Sequence, residues 1–237
     1  MGGDVEAVGA PRVWKELLGL WLGTLLLIRL VVTLVETLGL HEIFLVLVPV
    51  FFLYAPVWLC AWRGVDSWSY PLALPAFSDR ERWWGAIRLN LRLMALFVVP
   101  FVVGYHVWHT TVFGHELQWI WPSDPLKLVG YHLFFVALPE EIFYRGYVQT
   151  RLDERYGTPW RVLGTPVGWG LVLTSLLFAF GHSLVLLQWW HPFIFFPSLV
   201  FGWMRSRTGG PLAGALFHAW ANVTVSTLDT LYGVIPP

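Results

Sequence analysis

The chain contains several apolar runs of about 20 residues, and these runs restrict it to very few kinds of fold. A run of this length, wound as a helix, crosses the roughly 30 Å hydrocarbon core of a bilayer. Because lipid offers no hydrogen-bond partners to the backbone, such runs form helices rather than open sheets. We therefore predict an all-α, polytopic transmembrane helical bundle of about seven spans. The predicted spans run approximately over 17–38, 43–62, 88–108, 126–149, 166–188, 192–205 and 211–231.

Composition favours a membrane protein over a soluble domain. Hydrophobic residues make up 57% of the chain and charged residues 13%, whereas soluble domains carry about 25% charged residues. The net charge of +0 gives no overall field to attract nucleic acid, so a nucleic-acid partner is not expected. The single cysteine, Cys60, excludes an internal disulfide, and the run 17–38 is too long for a signal peptide. We interpret residues 1–237 as one integral membrane domain.

Lys and Arg residues indicate the orientation of the bundle, because they collect in short loops on the cytoplasmic side. They precede the first span and follow the second, fourth and sixth, whereas the stretches 39–42, 109–125, 188–191 and 232–237 contain none. The amino terminus is therefore predicted to be cytoplasmic and the carboxyl terminus outside, which requires an odd number of crossings. The Arg-, Trp- and Gly-rich usage suggests a bacterial origin, from which we predict a location in the bacterial inner membrane.

The second half of the fourth predicted span carries Pro139, Glu140, Glu141 and Arg145. Pro139 has no backbone donor, so the helix is expected to kink and to admit water beside the two acids. Glu141 and Arg145 stand four apart and are predicted to pair, whereas Glu140 is turned about 100° away and stays free to accept a proton. An alternative is that these residues only mark the cytoplasmic end of the helix, with charges that reach the headgroups.

Two further spans carry a histidine in an apolar setting. His182 follows Gly181 and lies one turn after Phe178, whose ring is predicted to cover one side of the imidazole. His218 and Asn222 stand four apart on another helix, so an imidazole and an amide share one face. Both groups donate hydrogen bonds, as a tetrahedral oxyanion requires. Each site has an alternative interpretation as polar residues that join helices.

Ionisable groups are costly in hydrocarbon, at about 2.5–3.5 kcal/mol for a charge near the bilayer centre, and are tolerated where they meet in a protein interior. Three such sites in separate spans of the carboxyl-terminal half therefore predict a hydrolytic pocket built from acids, two histidines and an amide. No role is assigned to the remaining histidines, which lie mostly near predicted outer ends or loops: His41, His106, His109, His115, His132 and His191.

At these residues the chain resembles the CAAX protease and bacteriocin-processing (CPBP, ABI) family of intramembrane proteases. That family carries EExxxR, FxxxH and HxxxN in this order, and the three patterns stand here at 140–145, 178–182 and 218–222. The resemblance covers residues 126–231 and implies a helical bundle within the lipid bilayer. It also implies that the chain hydrolyses a peptide bond of a membrane-anchored protein or peptide substrate.

The resemblance implies two catalytic pairs and a supporting set. One pair activates the attacking water: Glu140 and His182. The other pair holds the oxyanion of the scissile carbonyl: His218 and Asn222. The supporting set braces or lines the site: Glu141, Arg145 and Phe178.

Two features of the resemblance leave the function open. The prenyl-protein branch often has a second amide four residues after its first motif histidine, where this chain has Leu186, and this departure counts against a prenylated substrate. Some members of the family are thought to act as scaffolds or immunity factors, so a non-catalytic membrane scaffold or bacteriocin-immunity protein stays as the alternative. A transporter is a third hypothesis, against which the sequence has no repeated half.

No cofactor is expected, with zinc as the open alternative. Zinc would use Glu140, His182 and His218, and the sequence has neither HExxH nor a closely spaced histidine pair on one helix. Helix rise places Glu140 and His218 at a common depth, about 10 Å from the cytoplasmic side. The same calculation puts His182 about 24 Å from Pro166, so the depth of this histidine does not match the other two.

Overall fold

The computed structural model describes residues 10–185, 188 and 191–235. These residues form a helical bundle with one small hairpin, which confirms the predicted all-α membrane fold. The α-helices in this part of the chain are α1 (Ala10–Leu38), α2 (Leu47–Trp62), α3 (Arg80–Val112), α4 (Pro125–Gly130), α5 (Leu138–Glu141), α6 (Gln149–Tyr156), α7 (Trp169–Val185), α8 (Phe195–Thr208) and α9 (Leu212–Leu231). Short 3₁₀ segments lie at Glu42–Val46, Ser67–Ser69 and His191–Ile194.

The helices α4, α5 and α6 belong to one continuous helix, which we call the fourth helix. Two π-helical segments, Tyr131–Ala137 and Ile142–Val148, connect them without a break. The fourth helix begins where Asp124 accepts a hydrogen bond from the backbone nitrogen of Lys127 at 2.9 Å, with proline at the first helical position. The change of winding coincides with the proline in α5, and π-helical turns are frequent beside functional residues.

The fourth helix lies at the centre of the bundle. Helices α1 and α2 pack on one part of it, and α7, α8 and α9 pack on other parts. One buried apolar cluster joins α1 and α2 to the second π-helical segment, α6 and α7. Another cluster joins the beginning of α3 to α8 and α9. The predicted catalytic segment is therefore enclosed by helices from both halves of the chain.

The fifth predicted span begins too early, because residues before α7 form a hairpin. Strand β1 (Trp160–Val162) pairs antiparallel with β2 (Thr165–Val167). Both turn residues have positive φ, 49° at Leu163 and 78° at Gly164, which is the conformation of a tight two-residue hairpin turn. Since Pro166 lies in β2, helix α7 starts only at Trp169, and its helical rise to His182 is about 20 Å instead of 24 Å.

Three of the helical stretches are long and apolar enough to cross a membrane by length and composition: Arg12–Leu38, Glu42–Trp62 and Arg80–Val112. Trp169–Val185 is apolar but shorter. The most apolar window of α3 is only 11% buried within the bundle, so this helix presents most of its surface to lipid. The chain is thus an integral membrane helical protein, while the count of seven crossings and the cytoplasmic amino terminus stay predictions.

Candidate active site

A buried ionic centre joins the fourth helix to α9. Glu141 and Arg145 have no exposed side-chain surface, and Nε of Arg145 lies 3.2 Å from Oε2 of Glu141, as their spacing predicts. On the other side of this carboxylate, Nδ1 of His218 lies 3.2 Å from Oε1 of Glu141. Arg145 also donates a hydrogen bond of 2.9 Å to the hydroxyl of Ser198 on α8. Buried charges are tolerated when they are paired in this way, so the centre fixes three helices relative to one another.

Aromatic rings surround this centre and give it surroundings of low polarity. The guanidinium of Arg145 lies over the ring of Phe178, 4.9 Å from its centroid. Phe201 stacks on His218 with centroids 4.7 Å apart and an interplanar angle of 12°. Phe178 also meets the imidazole of His218 edge-on at 5.6 Å. The low-polarity surroundings strengthen the electrostatic interactions inside them.

A glycine on α9 makes room for the buried carboxylate. A Cβ atom at Gly214 would lie 2.9 Å from Oε2 of Glu141 and 3.2 Å from the backbone oxygen of Phe201. Only glycine lets α9 approach the acid so closely without displacing it. Small residues precede His218 in the sequence, and the close approach to Glu141 is the reason for the glycine at position 214.

Glu140 differs from its neighbour in both exposure and pairing. Its side chain retains 15% of its accessible surface, and Oε2 lies 4.0 Å from Nε2 of His218, which is too far for a direct hydrogen bond. Within the described part of the chain, this buried oxygen has no hydrogen-bond partner. Glu141 is therefore fixed in ion pairs, whereas Oε2 of Glu140 has no hydrogen-bond partner in the described part of the chain.

His182 and His218 both contact the ring of Phe178. The ring of His182 packs on Phe178 with centroids 4.4 Å apart, and its Nδ1 is 2.9 Å from the carbonyl oxygen of the same residue. An Nδ1–H that donates to this carbonyl leaves Nε2 as the free nitrogen of a neutral imidazole. No direct contact between His182 and Glu140 is found among the residues that the structure describes. The expectation that these two side chains share one water therefore needs the pocket to hold that water between them.

Asn222 lies on the face of α9 that carries His218, one turn closer to the carboxyl end of the helix. Its side chain is partly exposed, and no hydrogen bond to it is found within residues 10–185, 188 and 191–235. The amide is thus available to a ligand. One turn further along α9, Ser226 lies 3.0 Å from Nε2 of His132 on the fourth helix. No role was predicted for His132, and its contact with Ser226 joins the fourth helix to α9.

Sequence reasoning missed the contribution of α1 to the site. The indole nitrogen of Trp21 donates a hydrogen bond of 3.0 Å to the carbonyl of Leu177 on α7. A Cβ atom at Gly181 would lie 3.3 Å from both this nitrogen and the hydroxyl of Tyr144. The lack of a side chain at Gly181 lets α1 approach α7 here. Tyr144, which also reaches this glycine, lies one turn after Glu140 in the sequence.

The described residues do not assemble a metal centre. Among them, no group of three or more His, Cys, Asp or Glu side chains lies in an arrangement that could hold a metal ion. The zinc set predicted from the sequence, Glu140, His182 and His218, forms no such group among the described residues. No reaction step is therefore derived through a metal.

Fold and site together define a class: helical membrane proteins with a buried acid–histidine centre beneath the lipid surface. Residues 121–224 match the family model of the Rce1-like proteins, described as type II CAAX prenyl endopeptidase Rce1-like. This match confirms the resemblance to the CAAX protease family over residues 121–224. No curated protein and no solved structure matches the chain. Leu186, the departure from the prenyl-protein pattern, lies outside the described residues.

Proposed function

We propose that this chain is an intramembrane endopeptidase in which Glu140 acts as the general base. The proposal depends mainly on the free oxygen of Glu140, which is buried, unpartnered within the described residues and 4.0 Å from Nε2 of His218. Glu141 has no such freedom because Arg145 and His218 hold it in ion pairs. A water molecule beside the free oxygen of Glu140 could give its proton to that carboxylate as it attacks the carbonyl carbon, as general-base catalysis requires.

The ring of His218 lies between the two glutamates. Its Nδ1 lies 3.2 Å from Oε1 of Glu141, and its Nε2 lies 4.0 Å from Oε2 of Glu140. A proton on Nε2 would make this nitrogen a hydrogen-bond donor beside Glu140. A donor in this position suits the stabilisation of an oxyanion.

The proposed reaction needs only groups of this chain and one water molecule. Glu140 takes a proton from water while the water oxygen bonds to the carbonyl carbon, and His182 orients that water through its free nitrogen. The carbonyl oxygen becomes an oxyanion that accepts hydrogen bonds from His218 and Asn222. Glu140 then passes the proton to the amide nitrogen as the C–N bond breaks. The products are one new carboxyl group and one new amine.

The substitution Glu140→Gln tests this role, because it keeps the shape of the side chain and removes the proton acceptor. We expect turnover to fall by at least about 100-fold, the usual contribution of a general base, while the thermal midpoint stays close to that of the wild type. The measurement is a mass-spectrometric comparison of the termini of membrane-associated proteins in cells that express wild-type or variant chain. Termini that depend on the wild-type chain would also identify the substrate.

Glu36→Gln is the matched control, since Glu36 is exposed near the end of α1. It should yield the same termini as the wild type. Unchanged cleavage by Glu140→Gln would overturn the proposed base, and the absence of any chain-dependent terminus would favour a non-catalytic scaffold or immunity protein. Chelator treatment supplies a separate arm: loss of cleavage that added zinc restores would replace the metal-free mechanism with a metalloprotease one.

The substrate class and the location are part of the same proposal. A site enclosed by membrane helices suits a membrane-anchored protein or peptide that enters from the bilayer, and the absence of an amide at Leu186 disfavours a prenylated one. We propose the bacterial inner membrane as the location from the residue usage of the chain. Fractionation of membranes from the source cells checks this location, and recovery in a different membrane would contradict it.

A further inference from the structure

Helix α3 begins well outside the apolar part of the bundle. It has 33 residues, of which 93–112 contain no Asp, Glu, Lys or Arg. Those 20 residues span about 30 Å, the thickness of the hydrocarbon core. Arg92 therefore lies at the edge of the hydrocarbon, and Arg88 lies one turn further out, at the level of the lipid headgroups. Both side chains are exposed.

A groove of about 780 Å³ runs along this part of α3. We call it the basic groove, and define it by Arg88 and Arg92 of α3 together with Arg207 at the end of α8. Its floor includes Ala86 and Leu89, which pack on the apolar cluster between α3, α8 and α9. The groove thus combines three guanidinium groups with an apolar base.

Two of the three arginines of the basic groove are held in place by neutral groups. Arg88 donates to the backbone oxygen of Trp84 at 3.3 Å, and Arg207 donates to the hydroxyl of Thr165 at 3.2 Å. Arg207 also lies over the ring of Trp203, 5.5 Å from its centroid. Among the described residues, no carboxylate lies within ion-pair distance of any of the three.

Acidic residues do not neutralise the basic groove. Two line it, Asp79 and Glu81, and Asp79 already pairs with Arg82 at 3.2 Å. Three arginines therefore face one unpaired glutamate, which leaves a local formal charge of +2. Exposed aromatic rings lie beside the groove: Trp84 is 59% exposed, and Phe77 stacks on Trp83 at 5.9 Å. Tryptophan at this level is typical of the headgroup region of a membrane.

We propose that the basic groove binds the phosphate headgroup of an anionic phospholipid from the adjacent leaflet. Guanidinium groups bind phosphate oxygens through paired N–H donors, and basic pockets between membrane helices suit anionic headgroups. The apolar floor and the level of Arg92 favour a lipid over free phosphate, because the glycerol and acyl portions then lie against apolar surface. This site is separate from Glu140 and does not depend on the proposed protease activity.

Native mass spectrometry of the full chain in detergent, titrated with phosphatidylglycerol or phosphatidylcholine, tests the proposal. The double variant R88Q/R92Q should bind phosphatidylglycerol on the order of 20-fold more weakly. Each arginine near an anionic headgroup contributes a similar favourable binding free energy, and this variant removes two of them. Binding of phosphatidylcholine should be weak and unchanged. The control R155Q/R161Q removes two arginines outside the groove and should bind phosphatidylglycerol as the wild type does.

Three results would overturn the proposal. They are wild-type affinity of R88Q/R92Q for phosphatidylglycerol, equal binding of both lipids, and complete displacement of the lipid by millimolar inorganic phosphate, which would indicate a free-anion site. If R88Q/R92Q does not fold, R88K/R92K keeps the charge and decides the question. We expect this variant to retain most of the binding, and its failure to bind while folded would show that positive charge at these positions is insufficient.

Discussion

At the scale of single residues, Gly214 controls whether the ionic centre can form. Ala at this position would put a methyl group 2.9 Å from Oε2 of Glu141, an atom that Arg145 already holds. We expect G214A to lose about 1–3 kcal/mol of stability and most of its cleavage activity, because over-packing moves the carboxylate. Thermal unfolding in detergent, measured together with cleavage, checks both effects.

G19A serves as the control for G214A. A Cβ atom at Gly19 in α1 meets nothing within 4 Å, so this alanine should leave cleavage unchanged and slightly stabilise the helix. Equal thermal midpoints and equal activities for the two variants would show that the close approach of α9 to Glu141 has no consequence.

At the scale of secondary-structure elements, α1 supports the helix that carries His182. The hydrogen bond from Trp21 to the carbonyl of Leu177 fixes α1 against α7 next to Gly181. W21F removes this donor, and the loss of one hydrogen bond between α1 and α7 costs about 0.5–1.5 kcal/mol. We expect turnover to fall with little change in substrate binding, because the orientation of His182 is affected and the remaining pocket is kept.

W14F is the matched change on the same helix. Trp14 donates a hydrogen bond of 2.8 Å to the hydroxyl of Tyr156, away from His182. W14F should lower the thermal midpoint by the same amount as W21F or by less, and it should leave the turnover of the folded enzyme unchanged. A fall in turnover that is the same in both variants would indicate a general loss of stability instead of a role in positioning His182.

At the scale of the whole molecule, a buried ionic network joins the two halves of the chain. Glu16 of α1 accepts hydrogen bonds from Arg151 of α6 at 3.1 and 3.2 Å and from the hydroxyl of Tyr147 at 2.6 Å. Arg63, which follows α2, lies 3.5 Å from the same carboxylate. Glu16 lies before the matched segment 121–224, so residues outside the family match help to hold the site segment in place.

E16Q should therefore destabilise the protein by about 1.5–3 kcal/mol, because Arg151 keeps only its ion pair with Glu154 and Arg63 loses its carboxylate partner. The measurement is thermal unfolding of the detergent-solubilised chain, with limited proteolysis to locate where the chain opens. E42Q provides a comparison, since Glu42 begins an exposed 3₁₀ segment and should have no measurable effect. An E16Q midpoint equal to that of E42Q would mean that the network contributes no net stability.

The sequence by itself determined the helical membrane fold, the order of the helices and the pairing of Glu141 with Arg145. Each of these depends on spacing along the chain: the length of an apolar run, or four residues on one helix face. The predicted start of the fifth span was wrong because a hairpin lies before Trp169 in place of helix. The positive φ of Leu163, which permits the hairpin turn, is not evident from its residue type.

Only the tertiary structure decided which distant groups meet. The contact of His218 with both glutamates, the Ser198 partner of Arg145 and the approach of Trp21 to Gly181 all depend on how helices pack. The same packing brings His218 to the ring of Phe178, which spacing along the chain could not predict. The physical reason is that a helix fixes neighbours three or four residues apart, whereas packing of side chains between helices fixes neighbours across the bundle.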